Sequence, residues 1–429
     1  MQKRADTAGH GLAEELASEI ATIPCINSHS HICPEAERLA NPLDALLFFQ
    51  HAYPRSDLAS AGMSPTDMEL AFDPEQPLHE RWEVFEPYWR WTRNTGYSQC
   101  ILTGFRDLLG FDELTADTVG PLSQAAREFI APGFYRQVLR HRAGIEMSVV
   151  NMEDLVEVDR ELFLPLPRLN RFSMLKSVDQ INAIERDYGV AIADLGQLVE
   201  LIGKVCRDWK HTGVAGVKMS HSYHRRMDFE QRQQEDAASV FSRLMMGHYP
   251  GLNSEEGRVL EDYLVFECCR AASATDLTVQ FHQGIRAGNS GSMEGCSPVP
   301  LAPLMRTFPQ VRFDLSHAGF PYLREGAVLA KTFPNVYLNM SWIHIISPFG
   351  SRLDLREWLE MVPYNKIIAF GDDLHHVEAV YGHLQMARRN FAEVLAEMIA
   401  ENRVSESVAL DMARAAFHDN PARIYGVEG

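Results

Sequence analysis

His29 and His31 stand one serine apart, just after the apolar run Ala21-Thr22-Ile23-Pro24-Cys25-Ile26. Side chains two apart on a strand share a face. This spacing therefore offers two imidazole nitrogens to one metal ion. His-x-His alone is a common string, and its meaning depends on whether other ligands converge on it. Such residues do recur at the ends of later apolar runs. Lys218 lies in Gly216-Val217-Lys218-Met219, and His282 closes Val279-Gln280-Phe281-His282 just before Gly284. His317 closes Phe313-Asp314-Leu315-Ser316-His317, and Asp372-Asp373 follows Ile367-Ile368-Ala369-Phe370-Gly371. Each has a plainer reading alone: a hydrogen-bonded core histidine, a strand-end amine reaching solvent, a helix cap. Four histidines, a lysine and a carboxylate placed this way together fit a site for one or two divalent metals.

The elements that must position them form a strand-helix rhythm. Candidate strands cover 23–28, 145–151, 162–166, 214–219, 277–282, 311–317, 336–340 and 366–370, the third interrupted by Pro165 and Pro167. Amphipathic stretches lie at 12–21, 192–208, 229–246 and 257–274. Strands alternating with helices imply a parallel sheet. Eight of them predict an α/β fold, a closed (β/α)8 TIM barrel whose site lies at the C-terminal ends of the strands. The alternative, a doubly wound open sheet, lacks a glycine-rich phosphate loop after the first strand. Residues 41–142 carry no buried strand and hold Trp82, Phe85, Tyr88, Trp89, Trp91 and Tyr97. They read as a helical insertion after the first strand, with these aromatics as its own core. The whole of 1–429 reads as one barrel.

Composition narrows the partners. The 429 residues are 46% hydrophobic and 23% charged, with a formal net charge of -18. So acidic a chain lacks the basic footprint that nucleic acid or an anionic membrane requires. No apolar stretch is long enough to span a bilayer, and the polar start Met1 to Gly11 does not read as a secretory signal. Seven cysteines without C-x-x-C spacing fit a reducing cytoplasm. Adjacent Cys268 and Cys269 read as small apolar residues of a helix.

The ordered set of His29-x-His31, Lys218, His282, His317 and Asp373 resembles the amidohydrolase superfamily. Within it, the chain is similar to the branch holding uronate isomerase and the domains fused to glutamine synthetase. The strings Val279 to Gly284, Leu315-Ser316-His317-Ala318-Gly319-Phe320-Pro321-Tyr322, Phe370-Gly371-Asp372-Asp373 and His418-Asp419-Asn420-Pro421-Ala422-Arg423-Ile424-Tyr425-Gly426 carry the likeness. The resemblance implies metal ligation by His29, His31, His282, His317 and Asp373, and selects Asp373 over Asp372. It places Lys218 where binuclear relatives carry a carboxylated bridging lysine. It departs at Asn27, where such families often have aspartate, so the outer shell of the metal is expected to differ.

From this follows an expected hydrolase. A metal lowers the pKa of bound water towards neutrality, and Asp373 takes the proton. His317 is the histidine left free to face the substrate when one metal is bound, and Lys218 completes the catalytic set. Zinc is the first choice of metal, with manganese or iron as alternatives, one or two per chain. The bond broken would be an amide, lactam or ester of a small carboxylate-bearing substrate. Tyr223, Arg225, Arg226 and Arg286 are candidates to hold that carboxylate. Trp342 and His344 could line the pocket, His375 and His376 read as outer-shell or surface residues, and 288–292 reads as a mobile loop. A decarboxylating lyase, a uronate-type isomerase and a non-enzymatic scaffold are the competing readings. A homo-oligomer is expected by analogy alone.

Overall fold

The computed structural model of the chain describes residues 2–248, 254–288, 293 and 295–427. Eight strands alternate with helices: β1 (Cys25–Ser30), β2 (Ile145–Met152), β3 (Phe163–Pro167), β4 (Gly216–Met219), β5 (Thr278–His282), β6 (Phe313–Ser316), β7 (Val336–Asn339) and β8 (Ile367–Ile368). Parallel pairing runs from β1 to β3 and from β4 to β8. Two seams close the ring. Ala215 N–H donates to the Pro165 carbonyl at 2.9 Å and Leu169 N–H to the Lys218 carbonyl at 3.0 Å, joining β3 to β4. Ser28 N–H donates to the Phe370 carbonyl at 3.0 Å and Asp373 N–H to the His29 carbonyl at 3.1 Å, joining β8 to β1. The result is the expected (β/α)8 barrel. Pro165 is tolerated because its carbonyl, which proline retains, is the group the β3–β4 seam uses.

β1 begins and ends two residues later than its apolar run suggests, because the His29 carbonyl is still recruited by the β8 end. The helical insertion between β1 and β2 includes Leu78–Thr92 and Gly96–Gly104. Trp82, Phe85, Trp89 and Tyr97 are buried as its core, whereas Trp91 is 66% exposed and belongs to its outer face. The first helix, Gln2–Ala21, packs on the long helix Val377–Ala400. Cys268 and Cys269 are fully buried in Glu255–Ala274. No helix among the described residues is long and apolar enough to cross a membrane. The loop expected at 288–292 falls, beyond Gly288, outside the described residues.

The two ends of the barrel have different contents. Val149, Leu166, Ala215, Tyr337 and Ile368 form an apolar plug with Ile424 and Tyr425 of the closing helix Asn420–Tyr425. Tyr425 donates its hydroxyl to Asp314, and Thr278, the first residue of β5, donates to the Ile424 carbonyl. That helix therefore seals the end where the strands begin and leaves the opposite mouth for chemistry.

Three fully buried histidines outside the site set an acid limit on stability. Burial pushes His344 down to about 4, and His221 and His383 down to about 3. His344 is satisfied as a neutral ring, with Nε2–H donating to the Ala369 carbonyl at 3.0 Å and Nδ1 accepting from Asn390 at 3.2 Å. The unfolded chain takes up protons on these rings near pH 6.5, while the folded one resists until near pH 4. Stability is thus fully present above pH 6.5 and falls as pH drops towards 4, by up to about 1.4 kcal/mol per pH unit for each ring. Urea midpoints measured from pH 7 to pH 4.5 should fall, and His344→Gln should flatten part of that slope.

Candidate active site

The end of β8 delivers Asp373 to the two histidines of β1. Asp373 Oδ1 lies 2.9 Å from His29 Nε2 and 3.0 Å from His31 Nε2, and the two nitrogens are 3.3 Å apart. Among the described residues, these three form the group whose ligand atoms lie within 4.8 Å of one another. Metal–nitrogen bonds of about 2.0–2.1 Å in a tetrahedral shell would put ligand atoms about 3.3 Å apart. The spacing therefore fits a divalent cation bound by two imidazoles and a carboxylate. The tautomer is prepared as well. His29 Nδ1 sits 2.6 Å from Gln280 Oε1, an acceptor, so Nδ1 carries the proton and Nε2 is left bare for a metal.

Backbone geometry aims these groups. Asp373 has φ +53°, a left-handed conformation that aspartate tolerates better than most residues. Gly371 lets β8 pass under β1, since a Cβ there would stand 2.5 Å from Ser341 Cβ and 2.9 Å from His29 Cβ. Burial pushes His29 down to about 4, with the Lys218 charge adding to the drop. Burial works to raise Asp373, but His29, His317 and the hydrogen bonds from His29 and His31 outweigh it and hold the carboxyl well below its usual range.

Lys218, His282 and His317 surround this group without joining it. Lys218 Nζ donates to Gln280 Oε1 at 2.8 Å and lies 3.4 Å from His29 Nδ1, the side of that ring facing away from Asp373. It stands behind His29 in this arrangement and does not bridge. Burial pushes its amine down to about 7, against the pull of Asp314 and Asp373. His282 Nε2–H donates to the Ile285 carbonyl at 3.0 Å. His317 Nδ1 stays 3.9 Å from Asp373 Oδ2 and 3.3 Å from Ser341 Oγ. Burial holds both rings well below the usual histidine range. His282 lines the cavity and His317 is fully buried behind it, their centroids 4.3 Å apart. Of the two rings, His282 lines the cavity, whereas His317, expected to face a substrate, does not. The reason is the turn after β6, where His317, Ala318 and Gly319 all have positive φ and fold the His317 ring against Trp342.

The cavity holds about 510 Å³. Of the expected substrate-binding residues, Tyr223 lines it, with its ring 4.5 Å from His282 and its hydroxyl accepting from Ala287 N–H at 3.3 Å. Burial pushes the Tyr223 phenol up to about 12. Arg225 does not reach the cavity. It is buried and donates to Glu261 at 2.9 Å and Asp262 at 2.8 Å, over the face of Phe229. Arg226 points to solvent beside Asp228. Arg286 acts electrostatically on Tyr223 and His224 but is not among the described residues lining the cavity. Trp342 packs beneath His317 and against Tyr53. His344 is a fully buried core histidine and is not among the residues lining this cavity. His375 lies between His31 and His51, at centroid distances of 5.6 and 4.9 Å, and His376 is buried.

Arg225→Ala consequently tests a structural role. It would leave Glu261, which burial already pushes up to about 7, without its ion pair. A loss of about 3–5 kcal/mol in urea unfolding is expected, with metal content unchanged.

Besides Lys218, the cavity is lined by the cations Arg168, Arg171 and Lys176, just beyond β3, together with Glu153, Asn170, Gln180 and His224. Arg168 donates Nε–H to Asn151 Oδ1 at 3.0 Å and pairs with Glu153, while Arg171 bridges Asp154 and Asp187. Sequence reasoning passed over them. The signal was an Arg-Leu-Asn-Arg string directly after the proline-bearing third strand, the position where a barrel puts its site.

A family model described as Amidohydrolase matches residues 206–427, just over half of the chain. Uronate isomerase of Phenylobacterium zucineum is 22% identical, over 99% of this chain and 95% of that protein. The crystal structure of glucuronate isomerase from Caulobacter crescentus matches with a TM-score of 0.83 at 18% identity, covering 99% of this chain and 95% of that one. Protein fluG of Emericella nidulans is 26% identical over 49% of this chain, which spans only a quarter of that relative's length. These findings overturn the expected hydrolase, since curated relatives that match along nearly the whole chain are uronate isomerases, and the glucuronate isomerase fold matches along nearly its whole length. The ligand pattern could not have made that distinction, because several reaction classes use the same metal-binding strand ends.

Proposed function

The chain belongs to the amidohydrolase family, and on that premise we propose that it is a metal-dependent isomerase of a uronate, interconverting the aldose and ketose forms. The observation that carries this reading is the match to uronate isomerases over nearly the full length of both chains, insertion included. The site is suited to it. A uronate has a carbonyl at one end and a carboxylate at the other. The cavity has a group that could ligate a metal, His29, His31 and Asp373, and a rim carrying Arg168, Arg171 and Lys176, with Glu153 paired to Arg168.

A divalent cation held there supplies a Lewis acid for the carbonyl and neighbouring hydroxyl oxygens. The other tasks fall to the chain. Arg168 and Arg171 take the carboxylate with charge-assisted hydrogen bonds, which orients the reacting end towards Asp373. His282 is kept neutral, and with Nε2–H committed to Ile285 its other nitrogen is a proton acceptor. Tyr223 remains protonated and donates to a substrate oxygen.

Arg168→Met should raise KM for the sugar acid by about 10–100-fold, the worth of a charged hydrogen bond, with a smaller effect on kcat and none on metal content. The reading itself is tested by incubating metal-supplemented protein with a panel of hexuronates and assaying ketose formation. Ketose from at least one uronate is the expected result, and none from any uronate would reject it.

A further inference from the structure

On the reading that His29, His31 and Asp373 hold a divalent cation, we propose that Asn27 and Asp372 form a complementary clasp across the β8–β1 seam, making Asn27 a positioning residue that sets the aim of Asp373. Both residues are fully buried. Asn27 Oδ1 accepts the Asp372 backbone N–H at 2.9 Å, and Asn27 Nδ2 donates to Asp372 Oδ2 and to Ser148 Oγ, the latter at 3.1 Å. The other oxygen of Asp372 accepts Leu374 N–H at 2.6 Å, and the Asp372 carbonyl accepts from His383 Nδ1 at 3.1 Å. Every polar atom of the pair is therefore assigned, and both carboxylate oxygens accept N–H donors.

The clasp sits just beyond the end of a short strand. β8 is two residues long, and the chain beyond it is tied to β1 by three backbone hydrogen bonds, from Ser28, His31 and Asp373. Asp373, the next residue, holds φ +53°. Aspartate tolerates this conformation at a modest cost, and its surroundings decide where the carboxyl points. The pairing of β1 with β2 is also irregular between Asn27 and Ser30, so the ladder alone does not hold Asn27 and His29 in register.

The chemistry makes the pair directional, which gives the test its sign. In Asn27→Asp, two buried carboxyl groups face each other, and at most one shared proton replaces the two N–H donors of the Asn27 amide. In Asp372→Asn, the new amide must turn its NH2 either to the Asn27 NH2 or to Leu374 N–H, and one donor is stranded in each case. In the double exchange, the carboxylate introduced at position 27 would accept from the new amide and the backbone N–H at position 372. The Ser148 hydroxyl would reverse to donate, and Leu374 N–H would keep its acceptor. The hydrogen bonds named above return with the charge moved to the other strand, away from the Ser30 hydroxyl that also bonds the Asp372 carboxyl.

The experiment is Zn²⁺ affinity of the full chain, by competition with a chromogenic chelator, for wild type, N27D, D372N and N27D/D372N, with unfolding midpoints alongside. Each single variant should bind Zn²⁺ about 10–100-fold more weakly, and the double exchange should return close to wild type. A single variant that fails to fold, with a double that folds and binds, supports the clasp equally. Singles that bind like wild type, or a double that recovers neither folding nor affinity, overturn it. A wild-type chain that takes up no Zn²⁺ overturns the metal reading and this inference with it, a failure distinguishable from the other two.

Discussion

If the chain isomerises a uronate as proposed, Asp373→Asn should lower kcat by about 10²–10⁴-fold and weaken metal retention, while the unfolding midpoint stays where it was. The expectation follows from where Oδ1 lies, within 3.0 Å of both His29 Nε2 and His31 Nε2. An amide has one neutral oxygen in place of a charged pair, so it neither balances a cation nor takes a proton. Asparagine shares aspartate's tolerance of positive φ, so the +53° backbone at this position is kept and the defect is chemical. Steady-state kinetics with metal content on the same preparation checks it. Retained turnover would remove Asp373 from the mechanism.

His29→Ala with His31→Ala takes bound metal from about one equivalent per chain to almost none, and activity disappears with it. The contrast that gives this weight is His282→Ala, which should keep its metal while losing turnover. The reason is geometric: His282 gives Nε2–H to the Ile285 carbonyl, outside the group of atoms that can share one ion. Gln280→Leu is an intermediate case, because it frees His29 to adopt the other tautomer, and metal should bind about 10–100-fold more weakly. Elemental analysis of the dialysed proteins decides the ranking. Equal metal loss in the His282 and His29/His31 variants would mean that the ligand set is larger than these three residues.

The barrel was legible because its signal is local and repeated. Each buried strand is a short apolar run, and the first polar residue beyond it marks the mouth. Even β3, with Pro165 and Pro167, was found within a residue of its place. The first strand was misplaced by two residues because its end depends on the β8 segment, far away in sequence. Distance in sequence explains most of what was missed in the site. Arg225 looked like a substrate clamp at the β4 mouth, but its partners Glu261 and Asp262 lie 36 and 37 residues later, on the helix Glu255–Ala274 that ends the β4–β5 connection. Arg168 and Arg171 looked ordinary because their strand was the weakest one. That His282 rather than His317 lines the cavity turned on three consecutive positive φ values, which no pattern of apolar residues reports. Asn27 was visible as a departure from the family pattern, and its match to Asp372 became readable only with the seam between β1 and β8 in place.

The most direct measurement of the central claim is product analysis, by mass spectrometry and carbon NMR, after a hexuronate is incubated with metal-loaded wild-type protein. The account predicts a product of unchanged mass in which the aldose carbonyl carbon has become a hydroxymethyl group and its neighbour a ketone or hemiketal. A product that has gained water or lost carbon dioxide, or a uronate that survives untouched by protein carrying its metal, would contradict it.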